Sequence, residues 1–171
     1  MQRIAKTIDD INEWIGDKVS WLTIILVLIM CIDVFNRKVL NFSENWILEL
    51  EWYLFGILFL LGFAYTWKDD KHVRVDLFYD KYSEKQKGLV NFLGTLIFVI
   101  PWCVIVIKTS WDYGMNSWSF REGSPNHNGL PARYFIKFMI TFGFFLLLTQ
   151  AISILIKSYF QMLGRNTKEE H

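Results

Sequence analysis

From Trp52 to Trp67 the chain carries no charged residue. Glu49 and Glu51 stand just ahead of this run, and Lys68, Asp69, Asp70, Lys71, His72 and Arg74 close it. An apolar stretch framed by Trp and ended abruptly by charge reads as a membrane span. Three further apolar runs accompany the one at about 45–67: residues 19–35, 89–107 and 134–156. Each lies near the roughly 20 residues that cross a bilayer as a helix. The runs are continuous rather than alternating apolar and polar, which speaks against a β-barrel. The overall composition, 53% hydrophobic and 20% charged, agrees with that class. The expectation is an all-α integral membrane protein, one four-helix membrane domain over residues 1–171.

The positions of the basic residues orient such a domain. Twelve fall in the N-terminal segment, the loop after the second run and the C-terminal tail: Arg3, Lys6, Lys18, Lys68, Lys71, Arg74, Lys81, Lys85, Lys87, Lys157, Arg165 and Lys168. Five fall in the other two loops: Arg37, Lys38, Lys108, Arg121 and Arg133. The positive-inside rule then predicts both termini and the middle loop on the cytoplasmic side, with loops 36–44 and 108–133 outside.

Residues 1–18 are expected to form an N-terminal amphipathic helix. Ile4, Ile8, Ile11 and Ile15 fall on one face, with Arg3, Lys6, Asp9, Asp10, Glu13 and Asp17 on the other. It either lies in the cytoplasmic interface or extends the first span, and Gly16 permits a bend between the two. Further on, Asn41 with Glu44, and Ser83 with Gln86, have the spacing of a capping box, so the third helix is predicted to start near Glu84. Pro101 is predicted to kink that helix. Ser124-Pro125-Asn126 and Asn128-Gly129 are turn signals in the long outer loop, and Pro131 suits the first turn of the fourth helix. Lys137, just inside that helix, can snorkel to the outer surface.

Two acids at the front of a span need an explanation, because carboxylates are costly in lipid. Residues two apart face different sides of a helix, so Glu49 and Glu51 are not by themselves a paired site. Glu49, Trp52, Gly56, Phe59 and Phe63 follow one face, on which Glu49 can anchor a protein neighbour. A headgroup-level position favoured by the helix N-terminus and a part in ion translocation are the alternatives. Asp33 and Arg37 have the i, i+4 spacing of an ion pair. Gly88, Asn91, Thr95 and Trp102 share one face of the third helix. Thr141, Thr149 and Ser153, with Gln150 adjacent, share one face of the fourth. Such small and polar residues mark helix contacts in membranes. Glu49, Trp52, Gly56, Asn91, Thr95, Thr149 and Ser153 are therefore candidates for a partner interface.

Several chemistries find no support. Cys31 and Cys103 lie inside apolar runs without CxxC spacing and read as packing residues. His72, His127 and His171 all fall outside the spans, which excludes a haem held between transmembrane histidines. No HExxH, GxSxG or P-loop lysine is present. No catalytic, cofactor-binding, metal-binding or substrate-binding residue is assigned, no cofactor is expected, and nothing points to nucleic acid.

The segments NRKVLNFSENWILELEWYLFGILFLLGFAYTWKDDKHVRVDLFYD and EGSPNHNGLPARYFIKF, with a Trp-containing start to the first span, carry a family pattern. Arg37, Trp46, Glu49, Gly62, His72, Arg74 and Asp76 match it, and Gly129-Leu130-Pro131 is typical of one subgroup. In these features the chain resembles the small membrane subunit of tripartite ATP-independent periplasmic (TRAP) transporters, the DctQ type. The resemblance implies a non-enzymatic subunit in the bacterial inner (cytoplasmic) membrane. Its partners would be a large TRAP membrane subunit, a periplasmic substrate-binding protein that docks transiently, and the lipid bilayer. The large subunit carries the substrate and sodium sites and imports an organic acid, and the small subunit widens its static scaffold. Arg121, Glu122 and His127, in the outward-facing loop, are candidates for docking the binding protein. The alternative is a self-contained small four-helix transporter. Against it stand the missing internal repeats and interrupted helices of such proteins.

Overall fold

The computed structural model describes residues 1–68, 79 and 81–164. His72, Arg74 and Asp76 of the family pattern lie outside the described residues, as do the tail residues Arg165, Lys168 and His171. Everything regular within the described part is helical. Four helices are long and apolar enough to cross a membrane: α1 (Gln2–Leu40), α2 (Asn45–Lys68), α3 (Glu84–Ser119) and α4 (Tyr134–Met162).

The first helix corrects the expectation of a separate amphipathic segment. It is α-helical without a break from Gln2 to Phe35 and ends in a π turn, Asn36–Leu40. At 39 residues it rises about 58 Å, roughly twice the hydrocarbon thickness of a bilayer. The polar first third therefore prolongs the span. Gly16 does not interrupt it. It lies against Tyr65 of α2, and a Cβ there would stand 2.4 Å from the ring. The residue is small because two helices cross closely at that point.

The face that α1 turns inward is small and polar. Ala5, Asp9, Asn12, Gly16 and Val19 are buried, whereas Ile4 and Ile11 are exposed. In water an isoleucine face turns inward. In a membrane protein, lipid is as apolar as isoleucine, so small and hydrogen-bonding residues take the helix contacts instead.

Helix α3 starts at Glu84, as the sequence predicts. Ser83 accepts from the Gln86 amide, and the Gln86 side chain accepts from the Ser83 amide. Its middle holds a π turn, Thr95–Val99, just before Pro101. The wider turn, closed by the Ile100 amide donating to the Thr95 carbonyl, sits just ahead of the residue that has no N–H to donate. It also shifts the helical phase by one residue. Gly88 and Thr95 are buried, but the next buried positions are Cys103, Ser110, Gly114 and Ser117, and Trp102 is exposed. Cys31 and Cys103 are both free thiols.

Helix α4 is the hub, packing against α1, α2 and α3, while α1 and α2 pack on each other. Val19, Leu61, Ala64 and Leu146 form the apolar centre where α1, α2 and α4 meet. Helix α3 rests on α4. The bundle leaves most of its apolar surface outward: even in α4 only 33% of the apolar window is buried, and in α1 and α3 only 11%.

Candidate functional site

Three polar constellations stand out against this apolar frame. The first joins α2 to the outer loop. Ser124 and Asn126 donate to Glu49 Oε1, the latter at 2.8 Å, and the Leu130 amide donates to Oε2 at 2.7 Å. Alongside, Asn45 Nδ2 donates to the His127 carbonyl at 2.9 Å. Gly129 lies so close to Ser124 and Glu49 that a Cβ would stand 2.2 Å from the Ser124 hydroxyl. The turn residues thus gather their donors around one carboxylate, a charge-assisted arrangement. Asn41, predicted as a cap for α2, instead ends α1 in a left-handed conformation at φ 50°.

The same loop has a second acidic tie. Glu122 accepts from Ser117 at 2.7 Å and from Lys137 at 2.5 Å. Lys137 also lies 3.9 Å from the centroid of the Tyr113 ring. Its stem is buried, and its charged end reaches back to the outer loop at Glu122. The hydrogen bonds from Lys137 and then Ser117 hold the Glu122 carboxyl below its usual range. Between them, Glu49 and Glu122 tie the outer loop to the ends of α2, α3 and α4.

The second constellation lies toward the other end of the bundle. Gln150 Nε2 donates to Asp9 Oδ1 at 3.0 Å, and Asn12 Nδ2 donates to Gln150 Oε1 at 2.8 Å. Ser153 donates to Asp9 at 2.7 Å, and Lys157 pairs with the other Asp9 oxygen. Asp9, Asn12, Gln150 and Ser153 are all buried. Each bond contributes about 0.5–1.5 kcal/mol net, and stranding one partner costs about 1–3 kcal/mol. Glu13 and Lys68 add an ion pair between α1 and α2 at 2.5 Å.

The third constellation is not satisfied. Asp33 pairs with Arg37, as their spacing predicts, yet its Oδ1 has no hydrogen-bond partner among the described residues. Glu51, 9% exposed, has a buried Oε1 with no partner among the described residues. It lines a cleft between α1 and α2 with Leu26, Met30, Trp52 and Phe55.

The seven candidate interface residues therefore separate. Glu49 binds the chain's own loop. Gly56 sits 3.3 Å, measured from a built Cβ, from Ile136 of α4. Asn91 donates to the Tyr79 hydroxyl at 2.8 Å. Thr95 and Ser153 are buried, and Thr149 accepts from Asn12 at 3.5 Å. Trp52 alone of the seven is widely exposed, at 74%. Among the loop candidates, Arg121 and His127 are exposed and Glu122 is half-buried. Asp9, Asn12 and Lys157 stand outside the candidate set, and Glu51, weighed beside Glu49, is not among the seven. The signal that reveals the first two is the small-and-polar stripe Ala5, Asp9, Asn12 and Gly16.

The family model for the DctQ component of tripartite ATP-independent periplasmic transporters matches residues 26–160. The chain belongs to the DctQ family. It is thus a transporter component and not an enzyme, a multi-pass membrane protein whose partners are the other subunits of a TRAP system. No individual curated relative matches the chain. The matched segment contains the outer loop with its Glu49 and Glu122 ties and the whole α1–α2 cleft, and it leaves out Asp9 and Asn12.

Proposed function

We propose that this DctQ chain is the small permease subunit of a sodium-driven transporter, pairing with the large membrane subunit as part of its static scaffold. A periplasmic binding protein delivers an organic acid to that complex in the bacterial inner membrane. Both termini face the cytoplasm, and the loop bearing Arg121 and His127 faces the periplasm, where it is open to the binding protein.

The observation that carries this reading is how the polar groups are used. The hydrogen bonds of Glu49, Glu122, Asp9 and Gln150 close on neighbouring helices and the loop in separate sets. Such ties stiffen a bundle, whereas a moving carrier needs interrupted helices around a central site. The broad exposed apolar flanks of α1 and α3 supply surface for lipid and a large partner. A self-contained transporter finds no comparable support.

Purification of the tagged chain from its native host in mild detergent tests the pairing. The large subunit is expected to be recovered with it; recovery of the chain alone rejects the reading. For the orientation, reporter fusions at Lys81 should be cytoplasmic and at Gly123 periplasmic, and the opposite pattern rejects it.

A further inference from the structure

The cleft between α1 and α2 holds a chemical contradiction that the isolated chain does not resolve. Its volume is about 460 Å³, and its lining is Leu26, Met30, Trp52 and Phe55 around the carboxylate of Glu51. Leu26 is buried, while Met30, Trp52 and Phe55 are exposed at the rim. Glu51 is 9% exposed and accepts no hydrogen bond among the described residues. The charged groups acting on it are Asp33 and Arg37. Arg37 is already committed to Asp33, whose second oxygen is also buried without a partner among the described residues. Asp33 takes the guanidinium, so Glu51 is left without a cation or donor of its own among the described residues. Buried charges in membrane helices are paired, and they mark functional contacts.

Three occupants can cover an apolar cleft in a membrane. A lipid tail supplies no donor. Glu51 lies six residues past the start of α2, about 9 Å along the axis and inward of Trp46, the residue type that marks headgroup level. A second copy of this chain, docked through the same face, would bring two Glu51 carboxylates together, because a twofold interface sets like against like. A different membrane protein that presents a basic side chain meets both the shape and the charge.

We infer that the α1–α2 cleft is the docking site for a transmembrane helix of the large subunit, which inserts a lysine or arginine against Glu51. The inference rests on the pairing proposed above and specifies its face and chemistry. Trp52, Met30 and Phe55 form the apolar rim that excludes water and lipid from the ion pair, as rim contacts do around a buried anchor. The single exposed member of the candidate interface set, Trp52, falls within this rim.

The test uses the complex purified through a tag on this chain. A photo-reactive benzoylphenylalanine at Met30, or separately at Phe55, is expected to give an adduct with the large subunit. The adduct should map to an apolar segment that contains a lysine or arginine. Glu51→Gln and Glu51→Leu should each lower recovery of the large subunit about tenfold or more. Adducts from both positions that contain only lipid, or only a second copy, overturn the inference, as does undiminished recovery with both variants. If Glu51→Gln keeps the large subunit and Glu51→Leu loses it, a neutral donor replaces the cation and the charge argument fails. Recovery of the wild-type large subunit with adducts only from other faces removes the cleft but leaves the pairing intact. Absence of the large subunit from the wild-type preparation rejects the pairing itself and the cleft with it.

Discussion

Glu49 and Glu51 stand two residues apart on α2, and their surroundings differ completely. Glu49 accepts from Ser124, Asn126 and the Leu130 amide, while Glu51 accepts from no described residue. A helix turns about 200° over two residues, which aims one acid at the outer loop and the other into the cleft with α1. The comparison separates two uses of a carboxylate near a membrane. One is satisfied within the chain and organises its fold. The other is left unsatisfied and reserves a place for another molecule.

The largest effect is expected where donors lose their acceptor. Glu49→Leu strands the Leu130 amide and two side chains, at about 1–3 kcal/mol for each donor that stays buried. The chain in detergent should melt several degrees lower, and loop 122–131 should become open to protease. An unchanged melting temperature and cutting pattern would break the comparison at its satisfied end. Gln150→Leu probes the same principle at the opposite end. Asp9 and Asn12 each lose a bond to Gln150, and a loss of about 1–3 kcal/mol is expected. Asp9→Leu combined with Gln150→Leu should cost less than the two singles added, since both sides of the contact are then apolar.

Glu51→Leu should behave oppositely in the chain alone. Removing a buried acid without a partner strands nothing, so thermal stability should hold or rise by up to about 1 kcal/mol. A drop as large as that of Glu49→Leu would erase the distinction between the two acids. The smallest effect concerns acid. In the folded chain the Glu122 carboxyl is held below its ordinary value of 4.5 by the hydrogen bonds from Lys137 and Ser117. Its contribution to stability is therefore present above about pH 4.5 and is lost as pH falls through the lower folded value. Melting temperature followed downward from pH 6 should fall less steeply for Glu122→Gln than for the wild-type chain. Parallel curves would show that the tie to Lys137 adds nothing in water.

The four helices were legible in the sequence because a bilayer permits few alternatives to a long apolar helix. The Ser83–Gln86 cap and the Asp33–Arg37 pair were legible because each depends only on local spacing. Contacts that depend on facing were harder. Isoleucine spacing marks one face of α1 but not which face packs inward, because it signals burial only where water is the alternative. The register of α3 slipped after Thr95 because a π turn, which no residue pattern announces, sits ahead of Pro101. Glu49 is expected from the sequence to anchor a protein neighbour, and the partners it has here lie 75 to 81 residues away in the chain's own loop. The turn signals gave the shape of that loop and not its target. Glu51 was set aside because its spacing from Glu49 ruled out a joint site, and only the packing of α1 shows the cleft it lines.

The tie between the ends of the chain also sets an order of events during synthesis. Asp9 and Gln150 are 141 residues apart. A ribosome working at about 5–20 residues per second needs on the order of ten seconds to make that intervening stretch. Over that interval α1 has emerged with its polar stripe unmatched, and water, headgroups or the insertion machinery must shelter it. Helix α4, made long after α1, is the one that completes it.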